Sequence, residues 1–117
     1  VPYIATASPA YPLDLMNKVR KGLAKKGPAF IQIISPCPKG WKSEPIDTVD
    51  LSRLAVTTGT WMIYEIDEGK FKITQKPAKR QPVDKYIKMQ GRFDHLTSEK
   101  VSKIQSEVDD AWAGHDE

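Results

Sequence analysis

The stretch from Tyr3 to Ile34 constrains the fold more than any other part of this chain, because its hydrophobic pattern changes period twice. "YIATAS" (Tyr3 to Ser8) has the short apolar and β-branched make-up of a strand. "YPLDLMNKVRKGLAKKG" then places Leu15 or Met16, Val19 and Leu23 at helical spacing, with Pro12 suited to a first turn and Asp14 near the positive end of the helix. Gly27 and Pro28 stop that helix, and "AFIQII" follows as a second apolar run. Strand, helix, strand in this order is the pattern of a right-handed parallel crossover, so the fold class reads as α/β with a partial parallel sheet. Parallel strands are normally covered on both faces, and one helix cannot cover two of them. The rest of the sheet is therefore expected from elsewhere.

The second half has shorter elements. "IDTVDLSRLAVTTG" reads as a helix capped by Asp47 or Thr48, carrying Leu51, Leu54 and Ala55 on one side and ended by Gly59. "TWMIYEIDEGKFKIT" reads as a hairpin, with Met62, Tyr64 and Ile66 alternating, "DEGK" turning the chain, and Phe71 and Ile73 on the return. "QKPAKRQP" is a basic connector, "VDKYIKMQGRF" suggests a short helix, and "TSEKVSKIQSEVDDAWAG" a longer one capped by Thr97 or Ser98. Val101, Ile104, Val108 and Trp112 make its apolar stripe. Short, separately amphipathic pieces of this kind predict an arm that wraps around something else.

With 117 residues, 39% of them hydrophobic and 28% charged, the chain can build one modest domain. No apolar window approaches the roughly 18 to 20 residues of a membrane span, and "VPYIATASPA" lacks the charged start of a secretory signal, so no membrane partner and a cytoplasmic location are expected. Val1 at the first position reads as the mark of a fragment or a cleaved product. Eighteen Lys and Arg stand against 15 Asp and Glu. "KVRKGLAKK" and "KPAKR" can be read as a phosphate-binding surface, but a solvated helix face is the commoner meaning, and no nucleic-acid partner is expected. The sequence contains no nucleophile elbow and no Gly-rich phosphate loop, since "DEGK" sits in a hairpin. His95 and His115 lack metal-ligand partners at helical or loop spacing, and Trp41, Trp61 and Trp112 read as packing anchors.

Cys37 is the only cysteine, set in "SPCPKGW" between Pro36 and Pro38, which forbid a sheet ladder from continuing. One cysteine cannot form an internal disulfide. A lone thiol is more often an inert packed residue than a ligand. Its position after a strand of an open α/β sheet, where ligands commonly sit, and the proline that follows it, as in ferredoxin-type runs, both favour a ligand.

Four stretches together, "PYIATASPAYPLDLMNKV", "GPAFIQIISPCPKGW", "SRLAVTTGTWMIYEIDEGKFKIT" and "KRQPVDKYIKMQGRFDHL", resemble the β subunit of thiamine-dependent 2-oxoacid:ferredoxin oxidoreductases, most closely the pyruvate type. The resemblance runs from Pro2 to Leu96 and implies the C-terminal portion of a subunit two to three times as long. Residues 1–42 would then be the last strand-helix-strand part of a thiamine-diphosphate-binding domain, and 43–117 an arm docked on the rest of the enzyme.

The resemblance also implies a function. Such enzymes convert a 2-oxo acid, here most closely pyruvate, and coenzyme A to acyl-CoA and carbon dioxide, passing electrons through a [4Fe-4S] cluster to ferredoxin. Cys37 would be that cluster's fourth ligand, far in sequence from three other cysteines. Thiamine diphosphate and Mg2+ would be held by a G-D-G…N element that these residues lack, so no ligand for either is assigned and the segment by itself is expected to be inactive. The partners implied are the other subunits and ferredoxin. Two alternatives stand beside this reading: a small basic module binding protein or nucleic acid, and a purely structural assembly arm.

Overall fold

A computed structural model describes residues 1–115, which divide into two compact units: 1–35 with 62–76, and 36–61 with the chain from Pro77 onward. The first unit holds a four-stranded mixed sheet of order β2-β1-β3-β4. β1 (Tyr3–Ala7) and β2 (Ala29–Ile33) are parallel, in register from Tyr3 opposite Ala29 to Ala7 opposite Ile33, and α1 (Pro12–Leu23) connects them and packs on both. Pro12 occupies the first turn, where its missing N–H costs nothing, Asp14 follows, and Arg20 and Lys21 complement the negative end.

The α/β class is borne out, and part of the missing sheet comes from this chain itself. β3 (Ile63–Asp67) pairs antiparallel with the free edge of β1, and β4 (Lys70–Gln75) completes a hairpin around Glu68 and Gly69, both at positive φ as a tight two-residue turn requires. The β1–β3 register runs from Tyr3 opposite Asp67 to Ala5 opposite Glu65. Beyond it a side chain takes over the ladder: the Thr6 hydroxyl donates to the Met62 carbonyl at 2.6 Å and accepts from the Tyr64 amide at 3.0 Å. This is where the β3–β4 register shifts between Ile63 and Tyr64.

Which faces are buried differs from the sequence expectation. On β3 the buried residues are Ile63 and Glu65, while Tyr64 and Ile66 are half-buried. On α1 the buried residue is Lys18, and Met16, Val19 and Leu23 are exposed. Among the described residues β2 has β1 as its one strand neighbour in the sheet, and its Phe30 is 58% exposed.

The second unit is helical: α2 (Pro38–Trp41), α3 (Thr48–Thr57), α4 (Asp84–Ile87) and α5 (Ser98–Trp112), with 3-10 turns at Pro45–Asp47 and Gly91–Phe93. Its buried apolar residues are Leu51, Ala55, Val56, Val83, Tyr86, Ile87 and Trp112. Neither candidate caps α3 through its side chain in the expected way. Asp47 makes no capping bond, and Thr48 Oγ1 donates instead to the Pro45 carbonyl of the preceding turn at 2.7 Å. At α5, Thr97 Oγ1 accepts from the Lys100 amide at 3.3 Å. The connector between the units' segments is tied into the helical unit by the Gln81 amide on the Thr57 carbonyl and the Val83 amide on Gln105 Oε1.

Candidate functional site

Cys37 immediately precedes α2. Pro36 and Pro38 hold the backbone on either side of it, and Cys37 is the extended residue that caps α2, with φ −114° and ψ 105°. Its carbonyl accepts from the Trp41 amide at 2.7 Å, and its Sγ accepts from the Gly40 amide at 3.4 Å. The thiol is exposed and free. An exposed sulfur beside a backbone N–H donor is open to a metal, and soft sulfur is the ligand type that cluster iron prefers. The geometry therefore fits one ligand position. Among the described residues no group of three His, Cys, Asp or Glu side chains is gathered around a common point that could hold a metal ion.

A four-residue helix cannot hold itself together, and α2 is held by its last residue. Trp41 meets the Tyr86 ring edge-on, with centroids 6.3 Å apart. The Arg92 guanidinium lies 4.0 Å from the Trp41 ring centroid and 4.5 Å from that of Phe93. Arg92 Nε donates to Gln90 Oε1 at 2.7 Å, and Gln90, fully buried, donates through Nε2 to the Tyr86 carbonyl at 2.9 Å. Trp41, Arg92, Gln90 and Tyr86 thus form a closed circuit. Just beyond it Lys42 turns left-handed at φ 53°, and its carbonyl accepts from the Gly91 amide at 2.8 Å. A Cβ at Gly91 would come within 2.7 Å of the Lys42 Cβ, so only glycine permits this approach.

"SPCPKGW", singled out in the sequence, and the run Gly91–Phe93 are therefore halves of one clasp. The sequence reading identified Cys37 but assigned no role to Arg92, Gln90 or Lys42. The signal available was the glycine–arginine–aromatic run itself, whose partner lies far away in the chain.

The basic surfaces behave differently. Lys18 is 1% exposed, and its ammonium donates to the Thr6 carbonyl at 2.9 Å, Asp14 at 2.7 Å and Thr74 Oγ1 at 2.6 Å. Burial lowers its pKa, against the opposing pull of Asp14. Lys21 donates to both oxygens of Glu65, at 3.0 and 2.8 Å, and Lys25 pairs with Asp67 and Glu68. Arg80 pairs with Asp109 and lies over Trp112. These cations of "KVRKGLAKK" and "KPAKR" are engaged by carboxylates of their own unit. His95 is exposed and His115 half-buried. No helix among the described residues is long and apolar enough to cross a membrane.

No family model matches the chain. Among curated proteins it is similar to pyruvate synthase subunit PorB of Methanocaldococcus jannaschii, 51% identical over 110 residues, which are 94% of this chain and 37% of the relative. PorB of Methanothermobacter marburgensis is 52% identical over 109 residues, covering 93% of this chain and 38% of the relative. Ketoisovalerate oxidoreductase subunit VorB of Pyrococcus abyssi is 40% identical over 114 residues, covering 96% of this chain and 37% of the relative. The chain thus spans a little over a third of the length of these relatives. It belongs to the β-subunit family of pyruvate synthase and related 2-oxoacid oxidoreductases, and corresponds to the C-terminal part of such a subunit.

Proposed function

We propose that this segment is the part of a 2-oxoacid:ferredoxin oxidoreductase β subunit that delivers one thiolate, Cys37, to a [4Fe-4S] cluster. The observation that carries the reading is the state of Cys37: a free, exposed thiol, preset by two prolines and the Gly40 amide, on a turn clasped to the rest of its unit. The cluster would take its other thiolates from outside these residues. When bound in the complete subunit, thiamine diphosphate with Mg2+ supplies the decarboxylation chemistry and the cluster the one-electron transfer. This chain's own contribution is positional. It fixes where the sulfur sits, and its Gly40 N–H donates to that sulfur, a contact that tunes a cluster's potential.

The overall reaction proposed for the parent enzyme is oxidation of a 2-oxo acid with coenzyme A to acyl-CoA and carbon dioxide, with ferredoxin as electron acceptor. Pyruvate is favoured by three relatives named pyruvate synthase at 51 to 52% identity, while other pyruvate synthase subunits, at 41 and 36%, are on a level with the ketoisovalerate oxidoreductase subunits at 39 to 40%. The other subunits are expected to cover the exposed apolar surface of α1 and β2, where Leu13, Met16, Val19, Leu23, Phe30 and Ile33 lie open, or the remainder of the same subunit does.

The test is an anaerobic assay of the complete subunit assembled with its partner subunits. Ferredoxin reduction should require both a 2-oxo acid and coenzyme A, and should be faster with pyruvate than with 2-oxoisovalerate. Reduction with neither acid, or reduction indifferent to coenzyme A, would contradict the proposal.

A further inference from the structure

Nothing in the family reading assigns a role to Arg92, yet it joins the end of the Cys37 turn to a buried side chain. The path is short and each link has a distance. Cys37 is fixed to Trp41 by the bond from the Trp41 amide to its carbonyl at 2.7 Å, Trp41 to Arg92 by the 4.0 Å cation–π stack, and Arg92 to the buried Gln90 by a 2.7 Å hydrogen bond. The Lys42 carbonyl and Gly91 amide close the same two loops at 2.8 Å. The turn itself spans Pro38–Trp41 and has too few internal bonds to keep its shape unaided. We propose that Arg92 is a positioning residue for the Cys37 thiolate, acting through Trp41 to hold the sulfur where the cluster requires it.

This rests on the reading of Cys37 as a cluster ligand. The chemistry suits arginine in particular. Its planar guanidinium can lie against an indole ring while Nε donates to an amide oxygen, whereas a lysine ammonium can keep the charge near the ring but not the fork. Loss of the guanidinium removes one of the contacts on Trp41, leaving the edge contact with Tyr86, and leaves Gln90 Oε1 without that donor. The sulfur then samples positions away from the iron, and the iron it serves becomes easier to extract.

The experiment uses the complete enzyme with Arg92→Ala, Arg92→Lys and Cys37→Ser, and reads iron release to a chelator and the electron paramagnetic resonance of the reduced cluster, beside thermal unfolding. Arg92→Ala should release iron about five- to tenfold faster than the parent, the scale of losing one stack and one charge-assisted hydrogen bond. Its spectrum should shift, and Arg92→Lys should fall between the two. Should the alanine variant fail to fold, the lysine variant decides by the same readouts. Parental iron release and spectrum in both arginine variants, while Cys37→Ser loses the cluster, would overturn the positioning role alone. An intact, unchanged cluster in Cys37→Ser would overturn the ligand reading and this inference with it. Faster release that only tracks a lowered unfolding temperature in both arginine variants would also overturn it, since that is general loosening.

Discussion

The indole Nε1 of Trp112 donates to the carbonyl of Gly59 at 2.9 Å, joining the last turn of α5 to the end of α3. Gly59 sits at φ 82°, and a Cβ there would lie 2.6 Å from Trp112 Nε1 and 2.7 Å from Arg80 Cδ. Gly59→Ala must therefore pay left-handed strain and displace a buried ring, and is expected to destabilise the helical unit by about 3 kcal/mol. Trp112→Phe, which keeps most of the packing but leaves a buried carbonyl unpaired, should cost about 1–3 kcal/mol. Urea unfolding read by far-ultraviolet circular dichroism checks both. A Gly59→Ala variant as stable as the parent would contradict this arrangement.

Lys18 and Asp14 form a second relationship with a measurable consequence. The ammonium is saturated by Thr6, Asp14 and Thr74, so Lys18→Met leaves a largely buried carboxylate without its cation. The single variant is expected to lose about 3–5 kcal/mol. Adding Asp14→Leu removes the orphaned charge, and the double variant should recover a large share of that loss. Unfolding free energies for the four members of the cycle give the coupling. Additive losses would show that the pair is not coupled.

Tyr3 gives a pH dependence whose sign is fixed. Burial first, and then the charge of Glu65, to which its hydroxyl donates at 3.4 Å, push the phenol pKa well above the usual 10.0. The folded state keeps this proton where the unfolded chain has lost it. The contribution is therefore whole below about pH 10 and is lost as pH rises from there through the folded value. Tyr3→Phe removes this titration, so between about pH 8 and 11 it should lose less stability than the parent. Equal losses in the two proteins would contradict the assignment.

The open side of the sheet unit carries a prediction about assembly. Leu23 is 82% and Phe30 58% exposed, and β2 has no strand on its outer edge among the described residues. Such a surface is normally covered by a partner or by more of the same chain. Phe30→Lys in the complete subunit should reduce recovery of assembled enzyme, and the segment expressed alone should bind a hydrophobic dye. A monodisperse monomer of the segment that binds no dye would count against a covered surface.

Much of this architecture can be read from local pattern. The strand-helix-strand opening, the two-residue turn at Glu68 and Gly69, and the α5 stripe follow from spacing and turn chemistry that act within a few residues. What spacing does not reveal is which face meets which neighbour. The apolar positions of α1 predicted a buried Val19, yet the buried residue is Lys18, because its three hydrogen-bond partners come from β1, β4 and its own helix. The same holds for Glu65, a charge on the inward face of β3 that is buried only because Lys21 and Tyr3 meet it there. At the candidate site Cys37 stood out as a lone thiol between prolines. Its clasp did not, since Trp41 and Arg92 are distant in sequence and meet only through tertiary packing.

The most direct measurement is on Cys37→Ser in the complete, assembled enzyme. Serine is nearly isosteric, so folding and assembly should be kept, but its hydroxyl is a far poorer iron ligand than a thiolate. Iron content should fall by up to roughly four per β subunit, or the signal of one reduced cluster should change its shape, and ferredoxin reduction should slow sharply while thiamine diphosphate remains bound. A variant with parental iron content, unchanged electron paramagnetic resonance and the parental rate of ferredoxin reduction would show that Cys37 serves no cluster.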